Sequence, residues 1–170
     1  MNLHALLEKE HSKKATSRIV SYIGDNPKRF AKLMKLFFQS EYRITQRAAW
    51  PMSYCVRQHP SLITPYYKKL VQLLKQSDVH PAVTRNIVRM LEGVDIPAKW
   101  QGEIMDCCFK FIANPDEAAA VKAFSFGVLD NMVKQYPDIL PEIKLIIEER
   151  WQHEGGAFRS RARKILKKYS

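Results

Sequence analysis

The strongest constraint on the fold is a proline-bounded pattern that the chain contains twice, at residues 57–75 and 134–152. In each copy an imidazole or aromatic ring precedes a proline (Pro60 or Pro137), and a second proline soon afterwards begins an apolar run with helical spacing. Proline fits the first turn of a helix, where its missing N–H would have no helical partner. A proline-bounded turn that leads into a helix, repeated about two helical hairpins apart, is typical of stacked helical repeats.

The remaining segments agree with this interpretation. Apolar residues recur with the helical period of 3.6 in each segment, and the period-two alternation of strands is absent. The sequence therefore predicts an all-α fold, an α-α superhelix of about four helical hairpins with an N-terminal capping segment. As a single domain, it is predicted to divide into a cap at 1–26 and repeats at 27–60, 61–96, 97–136 and 137–170.

The third hairpin has the most apolar second helix, with the stretch AAAVKAFSFGVL almost free of polar residues. A helix without a polar face is covered by neighbours on several sides. The sequence therefore predicts that Phe124 is deeply buried at the centre of the stack. Asp116, just after the Asn114-Pro115 turn, is predicted to cap the start of this helix.

A cationic residue recurs in the second helix of every hairpin, at intervals of 38, 37 and 39 residues. The four positions are Arg47, Arg85, Lys122 and Arg161. Together with the proline-started first helices, this pattern resembles the HEAT repeats of the armadillo-like α-solenoid superfamily. The resemblance implies that the second helices line a concave face that binds other macromolecules. It also implies that some of the four cations pair with acids of a neighbouring repeat.

A candidate binding surface combines cations with aromatic rings. Five residues spaced by three or four positions fall on one face of one helix: Arg43, Arg47, Trp50, Tyr54 and Arg57. Three more cations extend this face into the next hairpins: Arg85, Arg89 and Lys122. Such a face can attract phosphates and stack on bases, or its rings can pack into the adjacent repeat with the arginines over them. A secondary basic patch is predicted in the last helix at Arg159, Arg161, Arg163 and Lys167.

The net charge of +11 is unevenly distributed along the chain. Residues 1–50, 51–100, 101–150 and 151–170 carry +6, +4, −4 and +5. A basic surface attracts acidic partners. We therefore predict a protein-interaction scaffold whose partner is an acidic protein or peptide, with nucleic-acid binding as the alternative.

Catalytic motifs are absent from the sequence, which has no Gly-rich phosphate loop, no H-E-x-x-H and no G-x-S-x-G. HEAT-like DNA-alkylation-repair glycosylases use aromatic residues and an aspartate in a cleft. The nearest analogues here are Trp100 with Glu103 and Trp151 with Glu154, which lack the aspartate. The sequence therefore predicts a protein that is not an enzyme and that uses no metal or cofactor, with a repair glycosylase as a third reading.

The remaining predictions concern location and thiols. No run of about 18 apolar residues occurs, so we predict a cytoplasmic protein without membrane insertion. Cys55, Cys107 and Cys108 fit no C-x-x-C spacing, and they are predicted to be buried, reduced thiols. The sequence leaves the oligomeric state open.

Overall fold

The structure is a computed structural model that describes all 170 residues. It contains ten α-helices and three short 3-10 helices, and no strand. The α-helices are α1 (Leu3–Lys9), α2 (Lys13–Ile23), α3 (Pro27–Gln39), α4 (Tyr42–Gln58), α5 (Tyr67–Lys75), α6 (Pro81–Glu92), α7 (Ala98–Ala113), α8 (Ala119–Val133), α9 (Leu140–Arg150) and α10 (Gly156–Lys168). The predicted all-α fold is confirmed.

Both copies of the proline-bounded pattern form the same local structure. Pro60 begins a 3-10 helix, Pro60–Tyr66, that runs directly into α5, and Pro137 begins a 3-10 helix, Pro137–Ile139, that runs into α9. Proline suits these starts because its fixed φ matches a helical first turn. The repeated sequence pattern thus corresponds to a repeated element of structure.

The segment predicted as an N-terminal cap forms two helices, α1 and α2. The break is made by Ser12, whose Oγ accepts a hydrogen bond of 3.0 Å from the backbone N–H of Ala15 and so caps α2. Gly24 ends α2 with φ of +51°, a conformation that favours glycine. Asn26 then caps α3, with Pro27 at its first position.

The helices group into two compact units, and the division falls within α5. Unit 1 contains residues 1–70 and 93–95, and unit 2 contains residues 71–92 and 96–170. In unit 1, α4 packs against both α3 and α2. The core of unit 1 includes Phe30, Leu33 and Met34 of α3, all fully buried.

In unit 2, α8 is the central helix and packs against α6, α7 and α10. Two predictions for this helix are wrong. Asp116 does not cap it, because α8 begins only at Ala119 and has no side-chain cap. Phe124 is partly exposed, whereas Phe126 is fully buried and packs edge-to-face on Phe158 with ring centroids 4.8 Å apart. The apolar stretch predicted that α8 is buried, but it did not indicate which of the two phenylalanine rings lies in the core.

Candidate functional site: the groove between α2 and α4

The first of the recurrent cations, Arg47, fastens α1 onto α4. Its Nη1 donates hydrogen bonds to the carbonyl oxygens of Leu7 at 2.8 Å and Glu8 at 2.9 Å. These carbonyls belong to the last turn of α1, where the helix dipole places partial negative charge. The side chain of Arg47 therefore stabilises the contact between α1 and α4.

Lys122 is also engaged, since its side chain is 1% exposed and its Nζ lies 2.6 Å from Oε1 of Glu154. Arg150 donates to the same oxygen from Nη2 at 2.9 Å. Burial alone would raise the pKa of the Glu154 carboxyl, but hydrogen bonds from Lys122 and Arg150 lower it below its ordinary value. Lys122, a residue of the predicted binding face, is thus enclosed within unit 2.

Arg161 pairs with Glu92, and Arg85 forms no ion pair. Three of the four recurrent cations therefore bind groups of the protein itself, two of them carboxylates. Arg85 and Arg89 lie half-exposed on α6 in unit 2. In the secondary patch on α10, Arg163 and Lys167 are exposed, while Nε of Arg159 donates to the Trp151 carbonyl at 3.0 Å.

The other predicted residues of α4 border an open surface in unit 1. Arg43 and Arg57 are exposed and form no ion pair. Trp50 is half-buried, and one side of it is covered by His11, with the ring centroids 4.9 Å apart. Tyr54 is 42% exposed.

Trp50, Tyr54 and Gln58 form one wall of a groove between α4 and α2, with a volume of about 270 Å³. The wall contributed by α2 was missed by sequence reasoning. It consists of Lys13, Thr16, Ser17, Val20 and Ser21. Their spacing of three or four residues was a signal, because it puts one hydroxyl-rich stripe on one face of a helix.

The lining of this α2/α4 groove has a definite chemical character. It offers hydroxyl, amide and ammonium donors beside two aromatic rings and a valine, and it contains no carboxylate. Lys13 and Gln58 can donate hydrogen bonds to an anionic group, and Trp50 and Tyr54 can cover apolar or planar groups. The groove is therefore suited to a ligand that is both acidic and partly apolar.

Ten α-helices without a strand, two of them entered through the same proline-started 3-10 turn, place this chain in the class of all-α helical-repeat proteins. The family model of the HEAT repeat domain matches residues 3–169, and the chain belongs to that family. This match includes α1 and α2. Among curated proteins and solved structures, none matches the chain. No helix has the length and apolar character needed to cross a membrane.

Proposed function

We propose that this protein is a non-catalytic interaction module whose α2/α4 groove binds an acidic segment of a partner protein. One observation carries the proposal: the groove sets two aromatic rings beside Lys13 and a stripe of hydroxyls, with no carboxylate in its lining. HEAT repeats generally mediate protein interactions. That general role supports a binding surface on stacked helices rather than a catalytic centre.

The charge of unit 1 supports an acidic partner. This unit holds thirteen Lys and Arg against five Asp and Glu, a net charge of +8 out of the +11 of the whole chain. A field of this sign raises the association rate of acidic partners and suppresses basic ones. Arg43 and Arg57, at the two ends of α4, remain available to a ligand because neither forms an ion pair.

The structure gives nucleic acid less support than protein. Base stacking needs exposed aromatic faces, yet one side of Trp50 is covered by His11, and Tyr54 is the only one of the two rings that is largely exposed. Arg47, which would neutralise a phosphate in that interpretation, is bonded to the end of α1. The groove fits side chains of a peptide better than a series of stacked bases.

The analogy with repair glycosylases also loses support. Glu103 forms an ion pair with Lys75, and Glu154 is held by Lys122 and Arg150. A catalytic carboxylate must reach its substrate, and both of these carboxylates are occupied by neighbouring cations. We therefore propose no reaction for this protein.

The test is a titration with an acidic peptide that carries one leucine between glutamates, separated by serines. The indole N–H signal of Trp50 in an NMR spectrum of the ¹⁵N-labelled protein is the readout. We expect a saturable shift of this signal, with affinity that falls as salt is raised because the groove lies in a charged surface. In the Tyr54→Ala variant we expect the affinity to fall by about tenfold, as for an aromatic contact worth about 1.4 kcal/mol.

Tyr42→Ala is the matched control, since Tyr42 is an exposed tyrosine of the same helix that does not line the groove. The proposal is wrong if the peptide produces no saturable shift of Trp50, or if Tyr42→Ala weakens binding as much as Tyr54→Ala. If a single-stranded oligonucleotide shifts Trp50 at lower concentration than the peptide and loses affinity in Tyr54→Ala, nucleic acid replaces the acidic protein as the ligand.

A further inference from the structure

In unit 2, the aromatic ring of Trp151 lies beside two cationic side chains. Trp151 directly follows α9, and the guanidinium carbons of Arg159 and Arg163 on α10 lie 5.6 and 5.4 Å from its ring centroid. Nε of Arg159 also donates to the Trp151 carbonyl at 3.0 Å. These contacts hold the half-buried indole in a fixed position between α9 and α10.

The indole forms part of a groove between α9 and α10 with a volume of about 450 Å³. The apolar part of this α9/α10 groove is made by Trp151, Ile147 and Leu166, and the rest by Lys144, Glu148 and Gln152. Nζ of Lys144 donates to the carbonyl of Tyr169 at 3.0 Å. The groove therefore offers an apolar surface whose α9 side carries a carboxylate, Glu148.

The charge on α10 is only partly neutralised. Arg161 pairs with Glu92 and Lys168 with Asp130, so these two cations are satisfied within the protein. Arg163 and Lys167 are exposed and form no ion pair. They are four residues apart and therefore lie on the same face of α10. Since Arg163 lies over Trp151, this uncompensated pair marks the α10 side of the groove.

We propose that the α9/α10 groove is a second docking site, for an acidic partner segment that carries an apolar side chain next to a carboxylate. The apolar side chain packs on Trp151 and Leu166, and the carboxylate pairs with Arg163 and Lys167. Glu148 repels a carboxylate on the opposite side, so the segment binds in one orientation. This site shares the class of partner proposed for the α2/α4 groove but not its residues, and each site stands or falls separately.

The three tryptophans of the chain make the two sites separately measurable. Trp151 reports on the α9/α10 groove and Trp50 on the α2/α4 groove, while Trp100 on α7 lines neither. During titration with the same acidic peptide, we expect a saturable shift of the Trp151 indole N–H and no shift of Trp100. In the Arg163→Gln, Lys167→Gln variant we expect the affinity read at Trp151 to fall by about tenfold or more.

Lys134→Gln is the control, because it removes an exposed charge of unit 2 that forms no ion pair and does not line the groove. Two further peptides test the chemistry, one with the leucine replaced by serine and one with the glutamates replaced by glutamine. We expect both to bind more weakly at Trp151. Unchanged dispersion of the remaining signals shows that each variant is folded.

The inference is overturned if Trp151 does not shift, if Lys134→Gln weakens binding as much as the double variant, or if either altered peptide binds at Trp151 as tightly as the original. A shift of Trp151 without one of Trp50 retains this site and removes the proposed function of the α2/α4 groove. A shift of Trp50 alone has the opposite meaning.

Discussion

At the scale of single residues, three of the four recurrent cations of the second helices have partners within the protein, and each has a different one. Arg47 binds the carbonyls that end α1, Lys122 binds the buried carboxylate of Glu154, and Arg161 binds Glu92. A buried charge is tolerated only when it is paired. Lys122 is 1% exposed, so the loss of Glu154 should cost more stability than the loss of the partner of any exposed cation.

We expect Glu154→Gln to lower the free energy of unfolding by about 3–5 kcal/mol near pH 7, because the Lys122 ammonium is left buried without its counter-charge. Urea denaturation measures this loss. Glu148→Gln, on the exposed side of α9, is the control and should change stability by less than about 0.5 kcal/mol. Equal effects of the two substitutions would show that the Lys122–Glu154 pair is not important for folding.

The same pair predicts a dependence on pH. Since the folded protein lowers the pKa of Glu154, its contribution to stability is complete above the ordinary pKa of a glutamate and is lost as pH falls through the lower, folded value. The stability difference between the wild type and Glu154→Gln should therefore be largest near pH 7 and decrease as the pH falls below the ordinary pKa of a glutamate. A difference that stays constant over this range would contradict the charge-pair explanation.

The three cysteines also follow from their surroundings. All three are free and buried, as predicted. Burial raises the pKa of the Cys55 and Cys108 thiols to about 12, and it raises the pKa of Cys107 as well. Because the thiolate is the reactive form, these side chains act as small apolar groups of the core.

At the scale of the helices, the side chain of Glu92 occupies the space that a side chain at Gly127 of α8 would need. A Cβ atom added at Gly127 would lie 2.3 Å from Oε1 of Glu92, the carboxylate that pairs with Arg161. Gly127 therefore lets a side chain of α6 pass across α8 to a cation of α10. Gly102 of α7, by contrast, has no atom within 4 Å of an added Cβ.

These two glycines give a matched pair of substitutions. We expect Gly102→Ala to stabilise the protein by about 0.5–1 kcal/mol, because alanine is the better helix former. Gly127→Ala should instead destabilise it, because Glu92 must leave its place beside Arg161. Thermal unfolding measures both changes.

The explanation is checked by a third variant, Gly127→Ala combined with Glu92→Ala, in which the clash no longer exists. Relative to Glu92→Ala alone, we expect the added alanine to be neutral or stabilising. If Gly127→Ala remains equally harmful in that background, the close approach of Glu92 is not the reason for the glycine.

At the scale of the whole molecule, the chain has two compact units with unequal charge. Unit 1 carries +8, and unit 2 carries the remaining +3. Each has its own buried aromatic contact, Phe30 with Tyr66 in unit 1 and Phe126 with Phe158 in unit 2. Each unit therefore has a buried core of its own, and the two cores can lose their packing separately.

We expect Phe30→Ala and Phe126→Ala each to cost about 3–5 kcal/mol, as large-to-small substitutions of fully buried rings. Hydrogen exchange read by mass spectrometry should rise first in residues 1–66 for Phe30→Ala and first in residues 96–170 for Phe126→Ala, since local stability follows the unit that is weakened. Phe124→Ala, at a partly exposed ring, should have a smaller effect than Phe126→Ala. A uniform rise over the whole chain in both buried-ring variants would mean that the units unfold together.

The sequence by itself determined the helices and their repetition. The 3.6-residue period, the starts at Pro60 and Pro137 and the glycine that ends α2 are local signals, because a helix forms from contacts between residues only a few positions apart. The all-α class and the proline-started helices therefore followed from the chain alone. The break between α1 and α2 was not predicted, although Ser12, which caps α2, was a local signal for it.

Only the tertiary structure decided which side chains remain available for binding. Arg43 and Arg47 lie on the same predicted face of α4, yet Arg47 is occupied because α1, about forty residues earlier in the chain, ends beside it. Lys122 was predicted to lie on the binding face, but it is buried and paired with Glu154, 32 residues later in the chain. The partner of a polar group is fixed by packing between distant segments, and a local period contains no information about that packing.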